Sequence, residues 1–433
     1  MDNREEYPKH REDADFSPDR YRLGQEDCGV ALDIGATNVG LSIFRMRDGQ
    51  RLVERQFSNP QQEHGADMIA RLVKASNPVV AADLQGKLIE GIEQCLQEAL
   101  QASGIGRTEI AGVGVVGNTA MLALLYNTGQ RRFLDPDSWQ EPWAFQAAGK
   151  TGLVTVLRQF CPVAGIEIIE PLMGFTGSGL LAGMVAARMP EQAPGTLLID
   201  FGANTEIALW DGTTAWVTSV AGGPAFEGYG LSCGSAPLPG AIFRARRSES
   251  SQGLFEFETL EGKSPMGICG SGYVDILRLL LESNRLDNLG RLQGEPAADE
   301  KIELQAEPFI WITKQDIDTL QRAKAAVEAG LRNLLHQAEM WLPDIRRIYV
   351  AGHFGRLLDV ASAQKIGLLP GVDAAGIELC GNIALKGCED ILRSRRAGEM
   401  LDQLRQAVKY GNLAFDTAVE TDFFASVYLR PFE

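Results

Sequence analysis

The sequence predicts an α/β fold made of two similar lobes. The first observation is a repeated hairpin pattern, in which an apolar run ends in an Asp, passes through a Gly-rich turn and resumes as a second alternating run. It occurs as ALDIGATNVGLSIF from Ala31 and again as LIDFGANTEIALW from Leu198. The second observation is that the same order of predicted elements follows both hairpins. The third is a polar segment rich in Pro and Gly, residues 189–195, which separates the two series.

The first lobe is predicted from residue 28 to residue 188. Three strand-like runs lie between Gly29 and Phe57, and apolar residues at helical spacing predict a helix from Asp83 to Leu100. The strand IAGVGVVG follows and ends at a polar turn beginning with Asn118. About half of the first 27 residues are charged and show no apolar period, so residues 1–27 are expected to form a solvated tail.

The second lobe is predicted from residue 189 to residue 433. Three strand-like runs occupy residues 196–201, 205–210 and 215–220, before a Gly-rich stretch and a helical run over residues 273–282. Thr313, with Asp316 three residues later, predicts the capped start of a further helix, which leads to the strand RRIYVAG. The repeated order indicates a duplicated architecture.

Composition excludes several classes of function. The formal net charge of −16 and the pI near 4.9 disfavour nucleic acid and anionic membranes as partners. No stretch approaches the length of apolar sequence that a membrane helix needs, and the N-terminus lacks the apolar segment of a secretory signal. We therefore expect a globular cytoplasmic protein.

The seven cysteines are scattered and form no C-x-x-C pair. Because zinc and iron-sulfur ligation need closer clusters, we expect buried free thiols and no iron-sulfur cluster in this chain. Cys233 and Cys269 are the exceptions, since both lie in Gly-rich loops where a thiol could be exposed.

The two hairpins carry the predicted chemistry. A Gly-rich turn can bring backbone N–H groups close to a phosphate, and an Asp at a strand end can hold a metal ion through water. Asp33 and Asp200 are therefore the candidate Mg²⁺ ligands, although each could simply cap its own turn. Glu206 and Glu227 are the candidates for a carboxylate that orients water, and the sequence does not choose between them.

A third element is YVAGHFG, a strand followed by a helical run. Gly352 and Gly355 would allow an adenine or a ribose to lie against the backbone, and the following helix N-terminus favours anions. His353 is expected to be a turn residue rather than a catalytic one.

The motifs resemble those of a known group. The two hairpins and the later Gly-rich strand are similar to the phosphate and adenosine elements of the superfamily of actin, sugar kinases, acetate kinase and heat-shock chaperones. The closer resemblance is to the reductive activators of corrinoid proteins, ATPases that restore Co(II) corrinoid to Co(I). It extends from about Gly29 to the end of the chain, and the matching strings are NPQQEHGAD, VVGNTAM, LIDFGANTEI, AGGPAFEGYGLSCG, PGAI, GICGSGYVD, TKQDIDTLQRAKAAVEAG and AGHFG.

The resemblance implies an actin-like, two-lobed ATPase fold with duplicated ribonuclease H-like domains. It also implies ATP and Mg²⁺ as cofactors, a corrinoid protein of a methyltransferase system as partner, and a homodimer as one possible assembly. The implied site residues are Asp33, Gly35, Thr37 and Asn38 in the first phosphate loop, Asp200, Gly202, Asn204 and Thr205 in the second, and Gly352 and Gly355 at adenosine. The density of glycine around Gly222, Gly223 and Gly270 indicates loops lining the cleft, with flexible hinges as the alternative.

One departure from the family pattern concerns electron supply. Such activators usually carry a ferredoxin-like domain with a cysteine-bound iron-sulfur cluster, and this sequence shows neither that domain nor a C-x₄-C-x₂-C run. Either a separate electron-donor protein supplies the electron, or this member has kept the ATPase and lost the redox task. The competing hypotheses are a small-molecule kinase on the same fold and a non-redox, ATP-gated binding protein.

Overall fold

The computed structural model describes residues 27–65, 68–141, 143, 151–248, 255–293, 301–305, 309–411, 413 and 416–432. The predicted tail, residues 1–27, lies outside this range apart from Asp27. No helix in these ranges combines the length and the apolar character that a membrane span requires.

The first sheet has five strands in the order β3-β2-β1-β4-β5. Its strands are β1 (Cys28–Ile34), β2 (Asn38–Arg45), β3 (Arg51–Ser58), β4 (Ile110–Gly117) and β5 (Gly165–Ile168). The first three strands pair antiparallel, and β4 and β5 join the other edge of β1 in parallel. Strand β1 is apolar along nearly its whole length because it is central and covered on both faces.

The second sheet has six strands in the order β15-β14-β6-β7-β8-β16. Its strands are β6 (Thr196–Phe201), β7 (Thr205–Trp210), β8 (Ala215–Val220), β14 (Arg347–Ala351), β15 (Ile377–Gly381) and β16 (Val408–Tyr410). Read from β8 to β15, this sheet repeats the strand order of the first, with the same antiparallel and parallel pairings. The duplicated architecture predicted from the hairpins is therefore confirmed.

Two small sheets lie in the segment between β8 and β14. One has the order β10-β9-β11 and the other pairs β12 with β13. Their strands are β9 (Ala241–Arg247), β10 (Phe255–Thr259), β11 (Gly267–Ile268), β12 (Lys301–Gln305) and β13 (Ile310–Thr313). This segment shares one hydrophobic core with one face of the second sheet.

Thirteen helices complete the described part of the chain. They are α1 (Met68–Lys74), α2 (Pro78–Ser103), α3 (Thr119–Tyr126), α4 (Thr151–Phe160), α5 (Ser178–Ala186), α6 (Gly223–Phe226), α7 (Gly270–Glu282), α8 (Lys314–Gln337), α9 (Gly352–Leu357), α10 (Val360–Ile366), α11 (Ile383–Arg393), α12 (Arg395–Ala407) and α13 (Thr417–Ala425). The predicted helix over residues 83–100 lies inside α2. The predicted capping box of Thr313 and Asp316 starts α8, as the reciprocal hydrogen bonds show.

Helices α5 and α11 form a layer between the two large sheets. Both contribute to a core that joins side chains of the first sheet, such as Phe44 and Val116, to Leu198 and Ala208 of the second. Helix α11 packs on β1 and β4 although it belongs to the predicted second lobe. Residues 189–195 do lead from α5 into β6, but the predicted lobe boundary at 188/189 remains a prediction because the chain crosses between the sheets again at α11.

The turn between β1 and β2 (residues 35–38) is named the first loop, and the turn between β6 and β7 (residues 202–205) the second loop. Both hairpins belong to central strands, so both loops leave their sheets at the ends that α5 and α11 approach. This packing brings the two loops to one site.

Candidate functional site

The two loops have the same backbone closure. In the first loop the N–H of Gly35 donates to the carbonyl of Asn38 at 3.0 Å, and in the second the N–H of Gly202 donates to the carbonyl of Asn204 at 3.0 Å. The repeated sequence pattern therefore produces a repeated local geometry.

Both loops line one cavity between the two large sheets. Ten residues singled out from the sequence lie in its wall: Asp33, Gly35, Thr37, Asn38, Asp200, Gly202, Asn204, Glu206, Glu227 and Gly352. Four polar residues that the sequence analysis did not assign to the site also line it: Gln56, Asn118, His353 and Asn382. The cavity is thus walled by acidic and amide side chains and by glycine backbone.

Removal from bulk water raises the pKa of all four acidic groups in the wall. The pKa of Asp33 rises to about 6, that of Asp200 to about 7, that of Glu206 to about 8 and that of Glu227 to about 7. The charges of Asp33 and Glu227 add to the shift at Asp200. The charges of Asp200 and Asp33 likewise raise the pKa of Glu206, and a bound cation would relieve this repulsion.

The donor set fits a hard divalent cation such as Mg²⁺, which prefers oxygen ligands. In the ranges the structure describes, no three His, Cys, Asp or Glu side chains converge as a ready-made metal site. Mg²⁺ is commonly held by one or two carboxylates together with substrate phosphates and water. Asp33 and Asp200, one from each hairpin, match that arrangement rather than a metal cage made entirely of protein ligands.

Glu206 is fixed deep in the cavity. It lies directly across the hairpin from Asp200 in the β6–β7 register, and its exposed fraction is 8%. The N–H of Gly177, at the start of α5, donates to one of its carboxylate oxygens at 2.6 Å. This hydrogen bond lowers the pKa of Glu206, but burial outweighs it. Glu206 is therefore a cavity residue and not a surface residue of the hairpin.

Glu227 joins the two halves of the molecule. It follows α6 in the Gly-rich segment after β8, and its carboxylate accepts a hydrogen bond from the hydroxyl of Thr37 at 2.6 Å. Since Thr37 belongs to the first loop, this contact spans the cavity from one sheet system to the other. The Thr37 hydroxyl lowers the pKa of Glu227, against the larger effect of burial.

Asn382 holds Asp33 in place. Its amide Nδ2 donates to the Asp33 carboxylate at 2.9 Å, and its Oδ1 accepts the N–H of Leu385 as the cap of α11. The sequence signal that was available is the strand-like run IELCG followed by Asn, which has the same strand-to-turn form as the other cavity elements. It was missed because no Gly-rich hairpin accompanies it.

The backbone conformation at position 352 requires glycine. Its φ is +87°, and a Cβ at this position would lie 2.0 Å from the carbonyl oxygen of Phe201. Any side chain would thus push the start of α9 away from the second hairpin. His353, the next residue, belongs to α9 and lines the cavity, so its prediction as a turn residue was wrong.

Other predicted site residues lie away from the wall of this cavity. Thr205 is fully buried, and Gly222 packs against α8, where a Cβ would meet the carbonyl oxygen of Ala323 at 3.1 Å. Gly355 packs in the same way against Val350. Gly223 opens α6, and Gly270 lines a smaller neighbouring cavity together with Cys269 and Ser271. For these four glycines and Thr205, a role at the nucleotide remains a prediction.

The two exceptional cysteines differ in exposure. Cys269 is buried, and its thiol donates to the carbonyl of Ile242 at 3.2 Å, so the expectation of an exposed thiol was wrong there. Cys233 is partly exposed, and its sulfur accepts the N–H of Trp311 at 3.5 Å. Burial raises the pKa of both thiols, which disfavours the reactive thiolate.

Two matched α/β halves, with facing Asp-and-Gly hairpins at one cavity, define the actin-like ATPase fold, also called ASKHA. A family model described as the C-terminal domain of RACo, the ASKHA domain, matches residues 195–432. A second model, the RACo middle region, matches residues 28–192. The chain belongs to this family of corrinoid reductive activators, and the resemblance predicted from the motifs is confirmed.

Individual relatives agree with this assignment. The chain is 28% identical over 411 residues to the corrinoid activation enzyme RamQ of Eubacterium limosum, covering 90% of this chain and 68% of that one. It is 24% identical over 288 residues to the [Co(II) methylated amine-specific corrinoid protein] reductase of Methanosarcina barkeri, covering 62% of this chain and 51% of the relative. The solved structure of a reductive activator for corrinoid, iron-sulfur protein superposes with a TM-score of 0.79 at 28% identity, covering 95% of this chain and 67% of that one.

Proposed function

We propose that this chain is an Mg²⁺-dependent ATPase that supports reduction of a Co(II) corrinoid protein to Co(I), with the electron coming from a separate donor protein. The observation that carries the proposal is the cavity in which two facing hairpin loops and four carboxyl groups meet. The family membership supports the corrinoid partner.

In phosphoryl transfer, the two loops would bind the phosphates and the carboxylates would bind Mg²⁺. Backbone N–H groups of the first and second loops would cradle the phosphates, since they can approach closely beside glycine. Asp33 and Asp200 would hold Mg²⁺, which when bound would neutralise phosphate charge and polarise the terminal phosphate. Catalysis of this kind depends on positioning and electrostatic stabilisation rather than on covalent chemistry by the protein.

Glu206 is the better candidate for orienting the attacking water. The Gly177 N–H fixes one oxygen of its carboxylate on the strand position opposite Asp200, and the other oxygen would hold the water molecule. Glu227 already accepts a hydrogen bond from Thr37 across the cavity. This contact suits a residue whose interactions change when the two halves close on the nucleotide. We assign Glu206 to the water and Glu227 to the contact between the halves.

ATP turnover would be coupled to the corrinoid protein if that protein binds one state of the two lobes more tightly than the other. Reduction of Co(II) to Co(I) is energetically uphill for ordinary cellular reductants, so a nucleotide-dependent change in the cobalt environment would supply the drive. A partner that binds one state of the lobes better than the other shifts their equilibrium, and the reverse effect on nucleotide binding must follow. Corrinoid protein should therefore change the ATP turnover of this chain.

The test is ATP turnover with and without purified corrinoid protein. Asp33→Asn and Asp200→Asn should each lower turnover by at least ~10²-fold, as expected when a preorganised electrostatic group is removed. Asp318→Asn, an exposed change on α8, serves as the matched control and should leave turnover unchanged. Full turnover in both cavity variants would contradict the proposal, and so would phosphorylation of a small metabolite in place of a response to corrinoid protein.

A further inference from the structure

Three side chains donate to three successive carbonyl groups of the first loop. The bonds run from Asn59 Nδ2 to the Gly35 oxygen at 2.9 Å, from Arg71 Nη1 to the Ala36 oxygen at 2.6 Å and from Gln62 Nε2 to the Thr37 oxygen at 2.5 Å. The donors lie on the segment after β3 and on α1, and we name Asn59, Gln62 and Arg71 the brace. The brace residues are not part of the cavity wall.

The brace fixes the direction of the loop's N–H groups. In a planar trans peptide the C=O and the next N–H point in opposite directions. Carbonyls turned toward the brace therefore turn the N–H groups of Ala36, Thr37 and Asn38 away from it, and these three residues line the cavity. Successive N–H groups aimed at one concave site attract anions.

We infer that Asn59, Gln62 and Arg71 are positioning residues for the phosphate chain of the nucleotide, acting through the backbone of the first loop. The inference rests on the proposed function, because it takes a nucleotide as the ligand of the cavity. It adds a specific consequence, which is that these residues control affinity for the phosphates and not for the nucleoside.

The brace is built into the interior. Asn59 and Arg71 are both 0% exposed, and the backbone N–H of Asn59 also donates to the carbonyl of Thr37 at 2.8 Å. Arg71 makes a second bond, from Nε to the carbonyl of Gly65 at 2.7 Å. Burying a guanidinium group is costly unless its donors are satisfied, and two carbonyl groups on separate segments accept hydrogen bonds from it here.

Arg71 also brings positive charge behind the acidic cavity. It lies close enough to Glu227 to lower the pKa of that carboxyl group. The same charge would favour an anionic ligand at the N–H groups of the first loop. The brace thus combines orientation of the backbone with favourable electrostatics.

The support of the second loop differs from that of the first. Among the residues that the structure describes, no side chain donates to the carbonyl groups of residues 202–204, and the Asn204 amide donates instead to the hydroxyl of Ser219 at 3.4 Å. The asymmetry indicates that the first loop is the preorganised half of the phosphate site.

Two adjacent glutamines provide a matched test. Gln62 bonds the first loop, whereas Gln61 is buried and donates to the carbonyl of Leu84 on α2 at 2.9 Å. Gln62→Leu should raise the KM for ATP about 10-fold, as loss of one well-placed hydrogen bond does, and leave the Kd for adenosine unchanged. Gln61 touches the brace only through the long hydrogen bond that Asn59 Nδ2 donates to its Oε1 at 3.5 Å. Gln61→Leu should therefore lower Tm but raise the KM for ATP much less than Gln62→Leu does.

Arg71→Lys and Arg71→Met extend the test. Lysine keeps the positive charge but cannot donate to both carbonyl groups with the geometry of a guanidinium. Arg71→Lys should therefore retain part of the ATP affinity that Arg71→Met loses. The affinity for adenosine should be the same in both variants. Calorimetric binding of ATP, ADP and adenosine to the full chain gives the readout independently of any corrinoid protein. The inferred role of the brace would be disproved if the affinities for ATP and adenosine fell together. It would also be disproved if Gln61→Leu and Gln62→Leu raised the KM for ATP equally, or if none of the variants changed that KM. Failure of the wild-type chain to bind ATP would instead contradict the proposed function.

Discussion

Single carboxyl groups determine how the nucleotide-free protein responds to pH. Asp200 has a pKa of about 7 in the folded chain and 3.8 as its ordinary value, because burial and neighbouring negative charge disfavour its ionised form. A raised carboxyl pKa means that the folded state binds the proton more tightly than the unfolded state does. The associated stability is present in full below pH 3.8 and is lost as the pH rises through about 7.

Asp200→Asn should therefore raise the Tm of the nucleotide-free protein by a few degrees at pH 8 and have little effect at pH 4. The gain arises because a neutral amide removes a partly buried charge next to Asp33 and Glu227. Thermal melts at pH 4 and pH 8 without Mg²⁺ measure it, with Asp318→Asn as the exposed control. An equal or lower Tm for Asp200→Asn at pH 8 would show that Asp200 is not strained by its neighbours.

Individual site residues were only partly predictable from the sequence. Asp33 and Asp200 could be found because each stands in a local pattern that occurs twice. Asn382 also follows a strand-like run, but its role depends on a contact with Asp33 across 349 residues, which that run does not reveal. Local periodicity carries no information on such a contact. Thr205 and Gly222 lie away from the cavity wall, so their role at the nucleotide remains a prediction, and a glycine-rich motif serves packing as readily as ligand binding.

At the scale of elements, the crossing of α5 and α11 sets the distance between the two sheets. A Cβ at Gly387 would lie 1.9 Å from the carbonyl oxygen of Ala182, so the two helix backbones are nearly in contact there. No side chain can fit without separating the helices.

Gly387→Ala should destabilise the protein by about 1–3 kcal/mol, the usual cost of overpacking a close contact. Gly86→Ala on α2 is the matched control, since a Cβ there meets no atom within 4 Å. That control should be neutral or stabilising by about 0.5–1 kcal/mol, because alanine favours the helix over glycine. Urea unfolding of both variants gives the comparison, and a smaller loss for Gly387→Ala than for Gly86→Ala would contradict the described packing.

Elements with a strong local pattern were predicted well. The three strands of the second hairpin region, β6 to β8, have the bounds read from the sequence, and α8 starts at the predicted cap. The layer formed by α5 and α11 was not predicted. Helix α5 is apolar all round and α11 is amphipathic. Either pattern is compatible with burial against either sheet, so the sequence does not say which sheet each helix covers.

At the scale of the whole molecule, two halves of common topology meet at a cavity that each half lines with one Asp and one loop. The Thr37–Glu227 hydrogen bond joins the halves across this cavity. A nucleotide at the first loop would compete for the Thr37 hydroxyl, so binding and the relative position of the halves should be linked.

The central claim is tested most directly by the visible spectrum of a Co(II) corrinoid protein mixed with this chain, Mg²⁺-ATP and a chemical reductant. The spectrum should change to that of Co(I), and the change should stop when ATP is omitted or when Asp200→Asn replaces the wild-type chain. A cobalt spectrum that stays Co(II) with active chain and ATP, or that changes equally well without ATP, would contradict the account.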